Sequence, residues 1–181
     1  MSVLGSGSEE HAERAESLGH ALALAGVHLV TGGGQGVMAA VARGFTSVRP
    51  RVGLSLGILP ASSLAPGPPP GYPNDWIELP VQTHLAARGE AGMDPTSRNH
   101  LVVLTGSVAV ALPGGAGTRT EVELALRYGR PVAAFLDDPR EFPGLPPAVP
   151  ILSSVEEVMA FVVESLEGGT DGGEPARPGP I

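Results

Sequence analysis

The chain has 181 residues and no cysteine. Disulfides and thiolate chemistry are therefore excluded, and the inventory suits a reducing compartment such as the cytoplasm. Lysine is absent too: all eleven basic residues are arginine. Without lysine there is no Schiff base for pyridoxal phosphate and no P-loop of the G-x-x-x-x-G-K type. Positive charge is scarce overall, with a formal net charge of -8 and a pI of about 5.0. That balance argues against a dedicated DNA- or RNA-binding surface, which needs a positive field to meet phosphates. A local anion site stays open. No apolar run approaches the ~20 residues of a membrane helix. The start "MSVLGSGSEEHAERAE" has neither the basic opening nor the apolar run of a signal peptide. A soluble, cytoplasmic protein with no membrane or nucleic-acid partner is expected.

What the chain does have is alternation. Short β-like runs at 2–7, 27–34, 51–60, 76–81, 107–113 and 130–138 alternate with helical patterns. The helices are expected from Ser8, as cap, to about Ala25, and then at 35–45, 96–105, 118–129 and 155–167. Gly129 ends the fourth helix, Ser153 or Ser154 caps the last, and 147–154 adds a short seventh strand. "ASSLAPGPPPGYPN" (61–74) is too rich in proline for regular structure and reads as a loop. Residues 1–167 read as one domain, and "GGTDGGEPARPGPI" (168–181) as a disordered tail with little to bury. Strands rich in Val, Leu and Ala between helices predict a Rossmann-like α/β/α sandwich around a mostly parallel sheet of six or seven strands.

Right-handed crossovers put every strand-to-helix turn along one edge of such a sheet, where ligands bind. Three glycine-rich turns then share a rim: Gly5-Ser6-Gly7, Gly32-Gly33-Gly34 and Gly114-Gly115-Ala116-Gly117. Each offers free backbone N–H groups at the positive end of a helix, and glycine lets a phosphate come close. Thr118 adds a hydroxyl. "GGGQG" lacks the G-x-G-x-x-G spacing, and no acidic residue sits about 20 positions on, which points away from NAD. Arg98, in "DPTSRNH", and Glu121, in the expected first turn of its helix, are the charged candidates. His11, His20, His28, His84 and His100 show no paired ligand spacing and read as structural or surface residues. Asp137-Asp138 reads as a strand-end turn. No metal and no cofactor is expected.

"GGGQGVM" and "PGGAGTRTE" together resemble the LOG ("lonely guy") family, once labelled lysine decarboxylase-like. Its P-G-G-x-G-T-x-x-E hallmark is matched by Pro113, Gly114, Gly115, Gly117, Thr118 and Glu121, and Arg98 stands 23 positions before Glu121, as the family's catalytic arginine does. The resemblance spans roughly residues 1–165. It implies a Rossmann-like domain, a homodimer or higher homo-oligomer, and a nucleoside 5′-monophosphate or other phosphorylated small molecule as ligand. Gly5, Ser6, Gly32, Gly33, Gly34, Gly114, Gly115, Gly117 and Thr118 would hold that ligand, with Arg98 and Glu121 as catalytic residues. Many members release the base and ribose 5-phosphate by hydrolysing the N-glycosidic bond, and this activity is the first expectation. Arg98-Asn99, where cytokinin-activating members have Arg-Lys, and Thr120-Glu121, where they have Glu-Glu, are departures. With "ELALRYGRPV" they bring the chain closer to a sister branch that includes molybdenum-cofactor carrier proteins. A non-catalytic carrier is the alternative.

Overall fold

A computed structural model describes residues 1–62 and 67–168. Seven strands form one sheet: β1 (Ser2–Leu4), β2 (Leu29–Thr31), β3 (Ser55–Leu59), β4 (Leu79–Gln82), β5 (Ala109–Ala111), β6 (Val132–Phe135) and β7 (Ile151–Leu152). Their order is β4-β3-β2-β1-β5-β6-β7, and every neighbouring pair is parallel. Five α-helices cover it: α1 (Ala12–Leu24), α2 (Val37–Ser47), α3 (Asn99–Thr105), α4 (Ala116–Arg127) and α5 (Val155–Gly168). The expected three-layer α/β/α architecture is therefore observed.

The period-2 alternation of strand side chains sorts the core into two layers. Val3, Leu29, Val110 and Phe135 face α1, α2 and α5, where Leu18, Leu22, Val41, Phe45 and Val158 meet them. Their chain neighbours Leu4, Val30, Ala111 and Ala134 face α3 and α4, against Val102, Val103, Val122 and Leu124. Burial on both sides explains why these strands read as continuous apolar runs.

Several boundaries differ from the sequence reading, each for a local reason. β1 stops at Leu4 because the Ser6 carbonyl accepts the Val37 N–H (2.9 Å) and the Ser6 N–H donates to the Pro113 carbonyl (3.1 Å). Ser8 is not the cap of α1, which starts at Ala12 after His11 in a left-handed conformation (φ 44°). The turn is organised instead by the Ser6 hydroxyl, which accepts from the Ser8 and Glu9 amides at 3.2 and 3.0 Å. The fourth strand lies three residues later than expected, at Leu79–Gln82. α4 starts at Ala116, two residues early, so Glu121 sits in its second turn rather than its first. A 3-10 turn at Gly89–Met93, which the sequence reading lacks, packs on α4. Ser154 caps the last helix, its hydroxyl accepting the Glu157 N–H at 3.1 Å. Of the expected loop, 63–66 lie outside the described residues, as do 169–181 of the expected tail; Gly168 closes α5.

α1 and α2 approach closely where Gly19 faces the Val41 carbonyl and the Phe45 amide. An alanine there gains about 1 kcal/mol of helix propensity. Its Cβ, however, lands on α2 backbone that cannot turn aside. Overpacking costs about 1–3 kcal/mol, and backbone contact puts this site at the upper end. Gly19→Ala is expected to lower the urea midpoint with an unchanged m-value. A variant as stable as the parent would mean that the two helices slide apart at no cost.

Candidate functional site

The chain runs outward from β1 through β2 and β3 to β4, then returns to the other side of β1 as β5. The order reverses at the carboxyl ends of β1 and β5, the position where open parallel sheets bind ligands. Gly5-Ser6-Gly7 follows β1 and Gly114-Gly115 follows β5, so two of the three glycine turns flank this switch point. The Ser6 to Pro113 hydrogen bond (3.1 Å) ties them together.

Gly114 leaves room for what surrounds it. A Cβ there would strike the Thr118 hydroxyl and stand 3.1 Å from the Ser6 amide nitrogen. Gly117 meets Gly89, with an added Cβ only 2.9 Å from the Gly89 Cα, so the 89–93 turn lies directly on the first turn of α4. Gly115 differs, because nothing stands within 4 Å of the place its Cβ would take. The first intrahelical bond of α4 is Arg119 N–H to the Gly115 carbonyl (3.1 Å). The amides of Ala116, Gly117 and Thr118 therefore have no acceptor within the helix and lie at its positive end.

The third turn is tied to its own strand and to the end of the proline-rich loop. Gly33 N–H donates to the Thr31 hydroxyl (3.1 Å), while the Gly33 and Gly34 carbonyls accept from the Asn74 amide (2.9 Å) and side chain (2.7 Å). These two glycines hold the 71–76 segment, and the Tyr72 ring packs on Gly34. Gly32 serves the site directly, because the Arg98 guanidinium occupies the space beside its bare Cα. Gly5 accommodates Val37 in the same way.

Arg98 and Glu121 meet although 23 positions separate them. Arg98 Nη1 donates to Glu121 Oε1 at 3.2 Å and to Asn99 Oδ1 at 2.9 Å. Both charges are buried, Arg98 at 4% exposure and Glu121 at 8%. Burial pushes the Glu121 carboxyl above the usual carboxylate range, and the Arg98 charge and hydrogen bond pull part of the way back. Arg98 Nε is buried with no partner among the described residues. An orphaned donor of this kind costs about 1–3 kcal/mol, which an acceptor brought by a ligand would recover.

Three further residues complete the site, and sequence reasoning gave them no role in it. The Thr120 hydroxyl donates toward the carbonyls of Gly117 (2.7 Å) and Gly89 (3.3 Å). Asn99 is buried beside Arg98, and Gly92 has no side chain where Thr120 and Asn99 pack. The two departures from the hydrolase motif thus have structural employment: Thr120 fastens the 89–93 turn to α4, and Asn99 supports the guanidinium. Among the described residues no group of three His, Cys, Asp or Glu is placed to hold a metal ion, and no helix is long and apolar enough to cross a membrane.

The model of the SLOG cluster4 family matches residues 1–157. The chain belongs to the SLOG cluster4 family. A protein of Archaeoglobus fulgidus is 31% identical over 137 residues, covering 75% of this chain and 78% of the relative. The molybdenum cofactor binding protein of Rippkaea orientalis is similar in structure, with a TM-score of 0.68 and 28% identity over 91% of this chain and 94% of that one. The Moco carrier protein of Chlamydomonas reinhardtii gives a TM-score of 0.68 and 26% identity over 92% and 96%. The LOG-like resemblance, read from the glycine motifs, and its closeness to the carrier branch, read from Arg98-Asn99, Thr120-Glu121 and the segment after them, are upheld.

The ion pair makes a pH-dependent prediction. Arg98→Ala leaves Glu121 buried without its counter-charge, a loss of about 3–5 kcal/mol when the carboxylate is ionised. Glu121 then has a folded-state pKa further above its unfolded value of about 4.3. The folded state holds the proton over the window above that value, so stability falls as pH rises through it. Urea unfolding should show a much smaller loss at pH 5 than at pH 8, and Arg98→Ala/Glu121→Gln should recover part of the loss at pH 8. A deficit equal at both pH values would contradict the pairing.

Proposed function

We propose that this SLOG protein binds a small phosphorylated ligand at the switch point between β1 and β5, and acts as a binding or carrier protein for it. The observation that carries this reading is the first turn of α4. Three amides without intrahelical acceptors follow Gly115, whose α-carbon faces open space, and Arg98 stands nearby with an unpartnered N–H. This is the standard equipment for a phosphate: helix dipole, free amides, a bare approach and a guanidinium. The names of the structural relatives from Rippkaea and Chlamydomonas, a molybdenum cofactor binding protein and a Moco carrier protein, support a phosphorylated pterin as the class of cargo. The carrier reading also explains why a hydroxyl and an amide, Thr120 and Asn99, stand where the hydrolases carry Glu and Lys.

A second reading rests on the Arg98–Glu121 pair. With a nucleoside monophosphate held by its phosphate at α4, hydrolysis would develop positive charge at the ribose C1′. Glu121 would face that charge and orient the attacking water, while Arg98 held the phosphate or assisted the leaving base. Against turnover, Glu121 is already engaged by Arg98 and largely withdrawn from solvent.

Calorimetry separates the shared premise from the choice. AMP is expected to bind at least about tenfold more tightly than adenosine, because charge-assisted bonds to phosphate each contribute ~1.5–3 kcal/mol. Gly115→Ala is expected to keep the melting temperature, since its Cβ meets no protein atom, yet to weaken AMP by crowding the anion's approach. Equal affinity for nucleotide and nucleoside would remove the phosphate site. Release of adenine and ribose 5-phosphate from AMP, abolished by Glu121→Gln, would move the assignment from carrier to hydrolase.

A further inference from the structure

Arg88 stands between two of the glycine turns. It immediately precedes Gly89, which lies on Gly117 in the first turn of α4. Its guanidinium carbon sits 5.2 Å from the centroid of the Tyr72 ring, and that ring packs on Gly34 beyond β2. The segment carrying Arg88 is fixed at both ends. Thr120 reaches the Gly89 carbonyl (3.3 Å), and the Ala87 carbonyl accepts the Arg98 N–H (3.4 Å). Tyr72 is held by the Asn74 bonds to Gly33 and Gly34, and by Gln35 Nε2 donating to the Gly71 carbonyl at 3.0 Å. The positions are thus set by backbone anchors on both segments.

The side chains, by contrast, are underused. Arg88 is exposed, and among the described residues its guanidinium has neither a hydrogen bond nor a carboxylate partner. This is notable in a chain with 19 acidic and 11 basic residues, where Arg14, Arg43, Arg51, Arg98 and Arg140 are all paired. Tyr72 is one of only two tyrosines and is half-buried. A guanidinium is planar and weakly hydrated, so with one face on an aromatic ring its other face is a ready stacking surface.

We propose that Tyr72 and Arg88 form a stacked platform that receives the planar heterocycle of the phosphorylated ligand, and so select the ring. The proposal rests on the phosphate turn of α4 and adds the part that turn cannot supply. A helix N-terminus recognises an anion but not the ring attached to it. Gly89, the residue after Arg88, lies against Gly117 in that turn, so the platform stands beside a phosphate held at Gly115–Thr118. Stacking accepts purine and pterin rings alike, because each has a π-face. No bond is made or broken in this step.

The test compares AMP with ribose 5-phosphate by calorimetry on the full chain. The wild type is expected to prefer AMP. Arg88→Ala should weaken AMP by about tenfold or more, the scale of one stacking contact, and leave ribose 5-phosphate unchanged. Arg88→Lys keeps the charge but lacks the plane, and should behave like Arg88→Ala. Tyr72→Leu should weaken AMP in the same selective way; Arg88 is exposed, so its variants decide the matter even if Tyr72→Leu is less stable. Equal losses on both probes in Arg88→Ala, restored by Arg88→Lys, would overturn the platform and make Arg88 a charge acting on the phosphate. A wild type that binds both probes equally, or an Arg88→Ala that binds AMP as the parent does, also overturns it while leaving the phosphate turn in place. A wild type that binds neither removes the phosphate site and the platform together.

Discussion

A guanidinium taken out of water must find acceptors, and much of the rim is arranged around meeting that demand for Arg98. Glu121 supplies the charge and Asn99 a carbonyl oxygen. Gly32 supplies room, since any side chain there would collide with the guanidinium. Gly92 leaves space for Asn99 and Thr120, and Thr120 clasps the 89–93 turn to α4. Removing water from an ion pair is costly enough that such a pair is weak evidence for stability. The pair here also leaves Arg98 Nε without a partner among the described residues, a donor still open to an acceptor.

Topology then converts local chemistry into a site. Seven parallel strands send all their carboxyl ends to one edge, and the return of the chain from β4 to β5 opens that edge beside β1. The first turn of α4, the Ser6 turn and the buried arginine meet there because of strand order, not because of sequence proximity. The opposite edge also has a cavity of about 520 Å³, among Val27, His28, Leu54, Leu56, Val108 and Leu166. Its walls are mostly apolar carbon, and it lies away from the glycine turns, so it lacks the converging donors that a phosphorylated ligand requires.

The parallel sheet was legible because buried strands and amphipathic helices leave periodicities in the chain, and the Pro113–Glu121 motif was legible because Thr118, Ser6 and Gly89 pack where side chains at 114 and 117 would stand. Boundaries were less so. Ser8 has the chemistry of a cap, yet Ser6 took the turn's amides through a contact network reaching Pro113 and Val37. Gly33 and Gly34 read in the sequence as part of a glycine-rich turn. Their carbonyls also pin Asn74, a residue forty positions beyond Gly34 that no local pattern could pair with them. Arg88 and Tyr72 carry no motif at all; their contact exists only once the crossing from β4 to α3 is folded over the rim.

On this reading the ligand's phosphate sits at the first turn of α4. Amide chemical shifts of the uniformly 15N-labelled chain, followed during titration with AMP, test it most directly. The largest changes are expected at Gly115, Ala116, Gly117 and Thr118, with Ser6 next, and little at the opposite edge. Shifts centred on Val27, His28 and Leu54, with the α4 amides unmoved, would contradict it.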